Sequence, residues 1–303
     1  MAAARRVHVL GGGALGTLFA SHFARSGVPT TLLLRNSAAA GSRCDVRVTE
    51  DSHTIDMRKI DCEPSDGEGG PIDLLVVAVK AFAARSALHD VRARLNDASD
   101  VILLCNGALA LAEEMTTPVL IATTTHGAWT RAPRDVHHAG RGETWIGGLP
   151  GTAGRSESAR HFASHGLGAV VEDEAATERR LWLKLAANAV LNPLTGLWDV
   201  QNGEVLRRSE GRTIAAQICA EVAELAHRLS QSPAPYADEL TAFVHECAAA
   251  NALNFSSMCM DMRAGRQTEI DMLNGWVARR SRELHLAAPI NMQLADAIRK
   301  RHP

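Results

Sequence analysis

The stretch V-H-V-L-G-G-G-A-L-G, residues 7–16, indicates how the first half of the chain folds. Gly11, Gly13 and Gly16 form G-x-G-x-x-G between a short apolar strand and a segment, residues 14–26, whose apolar side chains have helical spacing. In this motif the glycines permit a tight turn, a close approach of the backbone to a pyrophosphate, and close helix–strand packing. The start of the helix adds free N–H groups and the positive end of its dipole. A glycine-rich turn without a ligand is the alternative, and the repeated strand–helix pattern favours a dinucleotide site.

Beyond this motif, short apolar runs alternate with segments long enough for a helix. Nearly continuous apolar runs are typical of strands buried on both faces, and they predict strands at residues 6–10, 30–34, 73–79, 101–105 and 119–122. This order predicts a parallel sheet with right-handed crossovers. Residues 41–70 are predicted to be an irregular excursion that ends in the loop S-D-G-E-G-G-P. The glycine-rich segment 147–158 is predicted to follow small strands and to precede a last helix–strand pair that ends near Val171.

The pattern changes from Thr177 onward, where strand-like runs are absent and apolar residues follow helical spacing. We therefore predict an α/β Rossmann-like domain with a parallel sheet at residues 1–174, which binds the cofactor. An all-α substrate and catalytic domain is predicted at residues 175–303.

The composition argues against several classes of protein. The 32 basic and 34 acidic residues nearly balance, which disfavours nucleic acid or an anionic membrane as the main partner. The longest apolar run, residues 74–79, is far too short for a membrane-spanning helix, and we expect no secretory segment because the basic N-terminal residues run directly into the glycines. Six scattered cysteines without C-x-x-C do not suggest a disulfide framework, so we expect a reducing cytoplasm.

The end of the second predicted strand determines which dinucleotide is expected. Sites for NAD usually carry an acidic residue there, which binds the ribose 2′-hydroxyl. This chain has Leu34-Arg35-Asn36 instead. A guanidinium can bind a 2′-phosphate through a fork of donors, whereas a solvated surface arginine is the alternative. We therefore predict NADP(H), with Arg35 as a contact.

Two further polar side chains follow predicted strands. Lys80 ends D-L-L-V-V-A-V-K, and Asn106 follows V-I-L-L-C. Ligands of open α/β sheets lie beyond the carboxyl ends of the strands. Each side chain is therefore either solvent-facing or a cofactor contact, and the Asn106 amide is also within the expected reach of a substrate.

A polar stripe marks the first helix of the second half. Lys184, Asn188 and Asn192 are spaced i, i+4 and i+8, so they lie on one face of an otherwise apolar helix. Buried polar groups need partners, so the stripe is either a structural hydrogen-bond network or the wall of a cleft that binds a small polar ligand. Asn202, just past this helix, is a candidate for a further amide.

Two later segments hold further candidates. Ser256 and Ser257 are predicted to open a helix at its N-cap. Glu269 lies in G-R-Q-T-E-I-D. One interpretation of this segment is structural, with Thr268 as the N-cap of a helix. The other is functional, with the Glu269 carboxyl carrying a proton or binding a hydroxyl of the cofactor or substrate.

In chain order, the segments G-G-G-A-L-G, L-L-R, V-K-A, N-G, T-T-T-H-G-A, K-L-A-A-N-A-V-L-N-P-L-T, N-G-E, S-S-M and G-R-Q-T-E-I-D resemble the ketopantoate reductase (2-dehydropantoate 2-reductase) family over the whole chain. The combination of K-x-x-x-N-x-x-x-N with T-E-I-D is specific, whereas the glycine motif alone is not. One departure is N-G-A-L-A, residues 106–110, where the family more often has a second glycine. The resemblance implies a Rossmann-type domain followed by a helical domain similar to the C-terminal domain of 6-phosphogluconate dehydrogenase.

The resemblance also implies a role for each matching residue. It makes Lys184 the catalytic proton donor and Glu269 the essential glutamate. The implied cofactor contacts are Gly11, Gly12, Gly13, Ala14, Leu15, Gly16, Arg35, Lys80, Asn106, Ala128 and Glu269. The implied substrate contacts are Asn106, Lys184, Asn188, Asn192, Asn202 and Ser257. It implies no metal.

The implied chemistry is hydride transfer from NADPH to the C2 carbonyl of 2-dehydropantoate, which gives (R)-pantoate for pantothenate and coenzyme A biosynthesis. Lys184 would protonate the alkoxide that forms. A near-attack geometry requires both domains, so we expect a cleft that closes on binding. The alternatives are a reductase of the same family that acts on another 2-oxo acid, and a non-catalytic NADP(H)-binding redox sensor. A homodimer is compatible with the apolar helical domain.

The histidines offer weaker candidates. His161 and His165 are spaced i, i+4, but no third ligand is near in sequence and H-E-x-x-H is absent, so a surface helix is expected rather than a zinc site. His126 and the pair His137-His138 show no pattern of a nucleophile's partner.

Overall fold

The computed structural model describes residues 5–35, 42–51, 53–115, 117–149, 152 and 155–301. The chain forms two compact units, Met1–Thr177 and Glu178–Pro303. The domain boundary between residues 174 and 175 stays a prediction. Asn36, part of the predicted cofactor segment, lies outside the described residues.

The first unit alternates strands and helices. Its strands are β1 (Val7–Leu10), β2 (Thr30–Leu34), β3 (Ser42–Glu50), β4 (His53–Pro64), β5 (Leu74–Val77), β6 (Asp100–Leu103), β7 (Leu120–Thr124), β8 (Gly127–Ala132), β9 (Asp135–Gly140), β10 (Thr144–Gly148) and β11 (Val170–Val171). Its helices are α1 (Ala14–Arg25), α2 (Ala81–Val91), α3 (Ala108–Glu114) and α4 (Ser156–His165), with a 3-10 turn at Arg92–Arg94. The five predicted core strands and the final helix–strand pair are confirmed.

All eleven strands belong to one sheet, in the order β11-β10-β7-β6-β5-β1-β2-β4-β3-β9-β8. The central strands pair in parallel: β1 with β2 and β5, β5 with β6, and β6 with β7. Every residue of β1, β2 and β5 is buried, as their apolar runs predict. The chain passes from one side of β1 to the other between β4 and β5, so β1 and β5 flank the switch point of the sheet.

The expectation of an irregular excursion is wrong for the strands that span residues 42–50 and 53–64, whereas the loop predicted at its end, S-D-G-E-G-G-P, is confirmed. β3 and β4 form a long antiparallel pair, and β4 continues the sheet beside β2. In β3 the side chains of Cys44, Val46 and Val48 are buried while the residues between them are exposed, which is the period of a strand with one face on the core. A disulfide joins Cys44 to Cys62 on β4, a pairing that the sequence analysis did not predict.

A second antiparallel pair, β8 and β9, extends the sheet beyond β3. The sheet is therefore parallel at its centre and mixed toward its ends. α1 contacts both added pairs and β2, so it packs against a large part of one sheet face.

Phenylalanine side chains connect α1 to α4 in the core of the first unit. Phe19, Phe23 and Phe162 are all fully buried. The Phe19 and Phe162 rings stack with centroids 5.7 Å apart, and Phe23 meets Phe162 edge-on at 5.4 Å. The same buried core includes the strand residues Val7, Leu32 and Leu74, so it packs α1, and the glycine turn that precedes it, against the sheet.

The second half is helical throughout its described residues, as predicted. Its helices are α5 (Glu174–Trp198), α6 (Asn202–Arg207), α7 (Ser209–Leu229), α8 (Ala237–Ala250), α9 (Ser257–Arg263), α10 (Asn274–Glu283) and α11 (Pro289–Arg301), with a 3-10 turn at Ile270–Met272. Trp182 on α5 and Trp276 on α10 are buried, with ring centroids 5.9 Å apart. Among the described helices, none is both long and apolar enough to cross a membrane.

Candidate functional site

The glycine turn between β1 and α1 is shaped by three different constraints. Gly11 has a φ of +114°, and a Cβ there would lie 2.7 Å from Val79 Cγ1 and 3.0 Å from the Ala78 carbonyl oxygen. A Cβ on Gly16 would overlap the carbonyl oxygen of Gly11. Around Gly13, by contrast, a Cβ would meet nothing within 4 Å, which leaves room for a ligand against the backbone. These are the three roles that the motif predicts for its glycines.

The start of α1 is suited to an anion. Gly13 is its N-cap, no side chain caps it, and its first turn carries no acidic residue. The first bond of the helix runs from the Thr17 N–H to the Gly13 carbonyl, at 2.9 Å, so the N–H groups of residues 14–16 are the orphan donors of the helix. With the helix dipole they fit the pyrophosphate of a dinucleotide.

Three predicted cofactor contacts follow neighbouring strands of the sheet. Arg35 follows β2 and is exposed, Lys80 follows β5 at the N-cap of α2 and is half-buried, and Asn106 follows β6 and is half-buried. The order β2-β1-β5-β6 is parallel, so these residues and the glycine turn lie at the same edge of the sheet. At about 4.8 Å between strands, that edge spans roughly 14 Å from β2 to β6.

Ala128 comes shortly after the end of β7, which is parallel to β6. It lies near the start of β8, is half-buried, and pairs with His138 on β9. The chain thus leaves the same edge of the sheet just before Ala128.

In the second unit, α5 carries the predicted polar stripe. Lys184 and Asn188 are half-buried and Asn192 is 6% exposed, while Leu185 and Ala189 beside them are buried. The prediction that the three polar side chains share one face of an apolar helix is confirmed. That they bind a substrate stays a prediction.

A cysteine that the sequence analysis did not identify is within electrostatic reach of Lys184. The positive charge of Lys184 acts on Cys247 of α8, but burial dominates, and together with Glu246 it raises the pKa of the Cys247 thiol to about 11. Cys247 is therefore a neutral thiol at pH 7 and adds no charge beside the lysine. The two residues are 63 positions apart in the sequence, so no local pattern could have related them.

The predicted N-cap at the start of α9 is confirmed. Ser256 Oγ accepts a hydrogen bond from the Cys259 N–H at 3.1 Å and lies 2.6 Å from Thr195 Oγ1 on α5. This pair of hydroxyls connects α9 to the end of α5. Ser257, the predicted substrate contact, is the first residue of α9 and is exposed.

Asn202 and Glu269 are both buried. The Asn202 Nδ2 donates to the Asn251 carbonyl at 3.2 Å, and its Oδ1 has no hydrogen-bond partner among the described residues. Glu269 is 5% exposed and stands at the N-cap of the 3-10 turn. The interpretation of Thr268 as an N-cap is therefore wrong.

The first unit contains a histidine cluster that the sequence analysis did not predict, although it considered His126 and His138 separately. His22, His126 and His138 line a cavity of about 220 Å³ with Arg25 and Arg141. His126 Nδ1 lies 2.9 Å from His138 Nε2. Burial lowers the pKa of all three, that of His22 to about 4, where Arg25 adds to the effect. These residues lie far apart in the sequence, so no local pattern could have predicted the cluster.

His161 and His165 lie on α4 with ring centroids 4.8 Å apart. Within the described ranges, no group of three or more His, Cys, Asp or Glu side chains is placed to hold a metal ion.

Comparison with protein families gives two matches that together cover most of the chain. Residues 7–151 match the model described as Ketopantoate reductase PanE/ApbA, and residues 176–302 match Ketopantoate reductase PanE/ApbA C terminal.

Individual relatives match over nearly their whole length. The 2-dehydropantoate 2-reductase of Shigella flexneri is 31% identical over 301 residues, with 98% of this chain and 95% of the relative covered. The enzyme of the same name from Halobacterium salinarum is 32% identical over 302 residues, with 97% and 98% covered. Among solved structures, D-mandelate dehydrogenase with NADH and anilino(oxo)acetate superimposes with a TM-score of 0.84 at 21% identity, with 98% of each chain covered. At that identity the last likeness shows a shared fold.

Proposed function

The chain belongs to the ketopantoate reductase family, and from this we propose that it reduces 2-dehydropantoate to pantoate with a nicotinamide dinucleotide as hydride donor. This reaction supplies pantoate for pantothenate and coenzyme A biosynthesis. The observation that carries the proposal is the stripe of Lys184, Asn188 and Asn192 on one face of the apolar helix α5.

Lys184 is assigned the role of proton donor. When hydride adds to the C2 carbonyl carbon, the bonding pair of the carbonyl moves to its oxygen, which becomes negative. The Lys184 ammonium donates a proton to that oxygen, and the resulting amine is reprotonated from solvent. General acid help of this kind contributes about 10²–10⁴-fold to the rate.

The amides and the hydroxyl are assigned to the substrate. Asn188, Asn192, Asn202 and Ser257 bind its carboxylate and hydroxyl groups without adding negative charge, and Asn106 contacts both substrate and cofactor. Asn202 supports this assignment through a buried Oδ1 that lacks a hydrogen-bond partner among the described residues and can accept from a substrate hydroxyl. Glu269 is assigned to hold a hydroxyl of the cofactor or substrate.

The cofactor is assigned to the turn of residues 11–16, with Lys80 and Ala128 as further contacts. When bound, the reduced nicotinamide supplies the hydride. NADPH is preferred over NADH because the exposed Arg35 directly follows β2 and residues 36–40, N-S-A-A-A, contain no carboxylate to bind a ribose 2′-hydroxyl. A homodimer also remains our expectation, and sedimentation of the purified protein tests it.

The test is NADPH oxidation with a panel of 2-oxo acids. We expect the highest kcat/KM with 2-dehydropantoate and pantoate as the product. A different preferred acid would assign the chain to another reaction of the family. Tight NADPH binding without turnover of any acid would instead identify a redox sensor.

Lys184→Ala tests the assigned proton donor. We expect kcat to fall by roughly 10²–10⁴-fold while the Kd for NADPH changes little. Lys300→Ala, which removes an exposed lysine from α11, is the matched control and should leave kcat unchanged. Near-wild-type turnover by Lys184→Ala would remove the lysine from the mechanism.

A further inference from the structure

α5 contains a proline in its interior, within the polar stripe. Pro193 has no N–H, so the carbonyl of Ala189, four residues earlier, lacks its usual helical donor. Ala189 is fully buried, so water does not replace that donor. Ala189 directly follows Asn188, and Pro193 directly follows Asn192. The missing hydrogen bond therefore lies in the turn between Asn188 and Asn192, the last two members of the stripe.

A side chain from another helix supplies the missing donor. Asn274, the first residue of α10, is fully buried, and its Nδ2 donates to the Ala189 carbonyl oxygen at 2.9 Å. This bond takes the place of the one that an N–H at position 193 would make. The sequence analysis did not identify Asn274, although a proline four residues after a buried carbonyl is a signal that a donor is needed.

The orientation of the Asn274 amide is fixed by a chain of hydrogen bonds. Glu221 on α7 accepts from the backbone N–H groups of Ile290 and Asn291, at 2.8 and 3.0 Å, and from Asn291 Nδ2 at 2.7 Å. Asn291 must therefore turn its Oδ1 toward Asn274, and that oxygen accepts from Asn274 Nδ2 at 2.9 Å. The remaining hydrogen of the Asn274 amide then points at Ala189. The carboxylate at one end of the chain thus determines that a donor faces α5 at the other.

We propose that Asn274 is a positioning residue for the reaction: by completing α5 at its proline, it fixes where Asn192 stands relative to Lys184 and Asn188. The inference rests on the proposed function of the stripe. Asn274 acts through the backbone of α5 and is assigned no contact with substrate. Because a misplacement of about 1 Å can cost 10²-fold in rate, loss of this bond should reduce catalysis at temperatures where the protein stays folded.

The experiment compares Asn274→Leu with a matched control. Asn274→Leu removes both N–H donors while keeping the branching and the number of side-chain heavy atoms. Asn274→Asp, which keeps the shape and replaces the amide nitrogen by oxygen, serves if the leucine variant does not fold. Val277→Ala, a fully buried position one turn along α10, destabilises the same helix without touching the amide chain. Steady-state kinetics with 2-dehydropantoate are measured well below the Tm of every variant.

We expect kcat/KM to fall roughly 10- to 100-fold for Asn274→Leu and to change less than about 3-fold for Val277→Ala. Pro193→Ala restores an N–H to position 193. In that background the Asn274→Leu substitution should cost less than about 3-fold, because Ala189 has a helical donor again. Hydrogen–deuterium exchange of residues 184–198 should be faster in Asn274→Leu and should return toward the Pro193→Ala rate in the double variant.

The outcomes separate this proposal from the proposed function. If the wild type turns over 2-dehydropantoate but Asn274→Leu keeps its kcat/KM, or loses it equally in the Pro193→Ala background, the positioning role is overturned. If the wild type does not turn over 2-dehydropantoate, the proposed function fails, and hydrogen exchange alone decides whether Asn274 holds α5. Unchanged exchange in Asn274→Leu would then overturn that role as well.

Discussion

Two neighbouring glycines of the β1–α1 turn should respond in opposite ways to the same substitution. At Gly11 an alanine must adopt a φ of +114°, a conformation that costs an L residue about 1–3 kcal/mol. Its Cβ would also lie 2.7 Å from Val79 Cγ1 and 3.0 Å from a backbone oxygen, and overpacking of this kind costs a further 1–3 kcal/mol or so. Gly11→Ala should therefore destabilise the first unit by more than about 2 kcal/mol, before any ligand is added.

Gly13→Ala should affect binding instead. Gly13 has a φ of −73°, which suits any residue, and a Cβ there meets no protein atom within 4 Å. The loss of a glycine N-cap should cost less than about 1 kcal/mol of stability. If the pyrophosphate occupies the space beside Gly13, the added methyl group should weaken its binding by about 1–3 kcal/mol, or roughly 5- to 150-fold in Kd.

The assay pairs thermal unfolding of the ligand-free protein with titration of NADPH by fluorescence quenching. A unit of this size loses roughly 2–4 °C of Tm per kcal/mol, so Gly11→Ala should unfold at least about 4 °C lower than the wild type and Gly13→Ala should lie closer to it. Gly13→Ala that binds NADPH as tightly as the wild type would refute the reasoning, because the open space would then not be where the cofactor lies.

Two further predictions concern charge. Arg35→Ala should raise the KM for NADPH while leaving that for NADH nearly unchanged, because only NADPH has the 2′-phosphate that the guanidinium is proposed to bind; equal effects on both cofactors would contradict this. Burial, aided by the charge of Arg94, lowers the pKa of His8 to about 4 from 6.5, so the unfolded chain binds a proton at His8 between these values while the folded chain does not. The contribution of neutral, buried His8 to the free energy of unfolding should therefore be fully present above pH 6.5 and decline as the pH falls toward 4. Urea unfolding at several pH values should show a smaller decline of this free energy for His8→Val. The same pH dependence in both proteins would exclude His8 as its source.

The central sheet could be predicted from sequence because the composition of its strands is compatible only with burial on both faces. A run such as T-T-L-L-L is apolar on both faces, so only a strand covered on both sides satisfies it, and β2 is buried at all five positions. The glycine turn was also predictable. At Gly11 the backbone adopts a conformation that L residues rarely take, so a glycine is needed there. That glycine can be seen in the sequence without knowledge of distant contacts.

The β3–β4 pair was missed because its signal was present but ambiguous. The charged residues of R-C-D-V-R-V-T lie on one face and the apolar ones on the other, and with so many charges the segment resembled a loop. The polar stripe on α5 was predicted from spacing alone, whereas Asn274, Cys247 and the histidine cluster depend on contacts between elements far apart in sequence. Such contacts exist only once the chain has folded; Pro193 signals that a donor is needed, but no local pattern identifies Asn274 as that donor.

The two edge strands of the sheet, β11 and β8, differ in how readily a strand of another molecule could pair with them. β11 has only two residues, so it offers almost no unpaired backbone, whereas β8 has six residues that are mostly exposed. Trp129 on β8 is 50% exposed, and the Arg131 guanidinium lies 5.6 Å from its ring centroid. Strand addition between molecules is favoured by a long apolar border and opposed by a cation that must be desolvated there. Arg131 therefore opposes strand addition at the β8 edge, and the short length of β11 opposes it at the other edge.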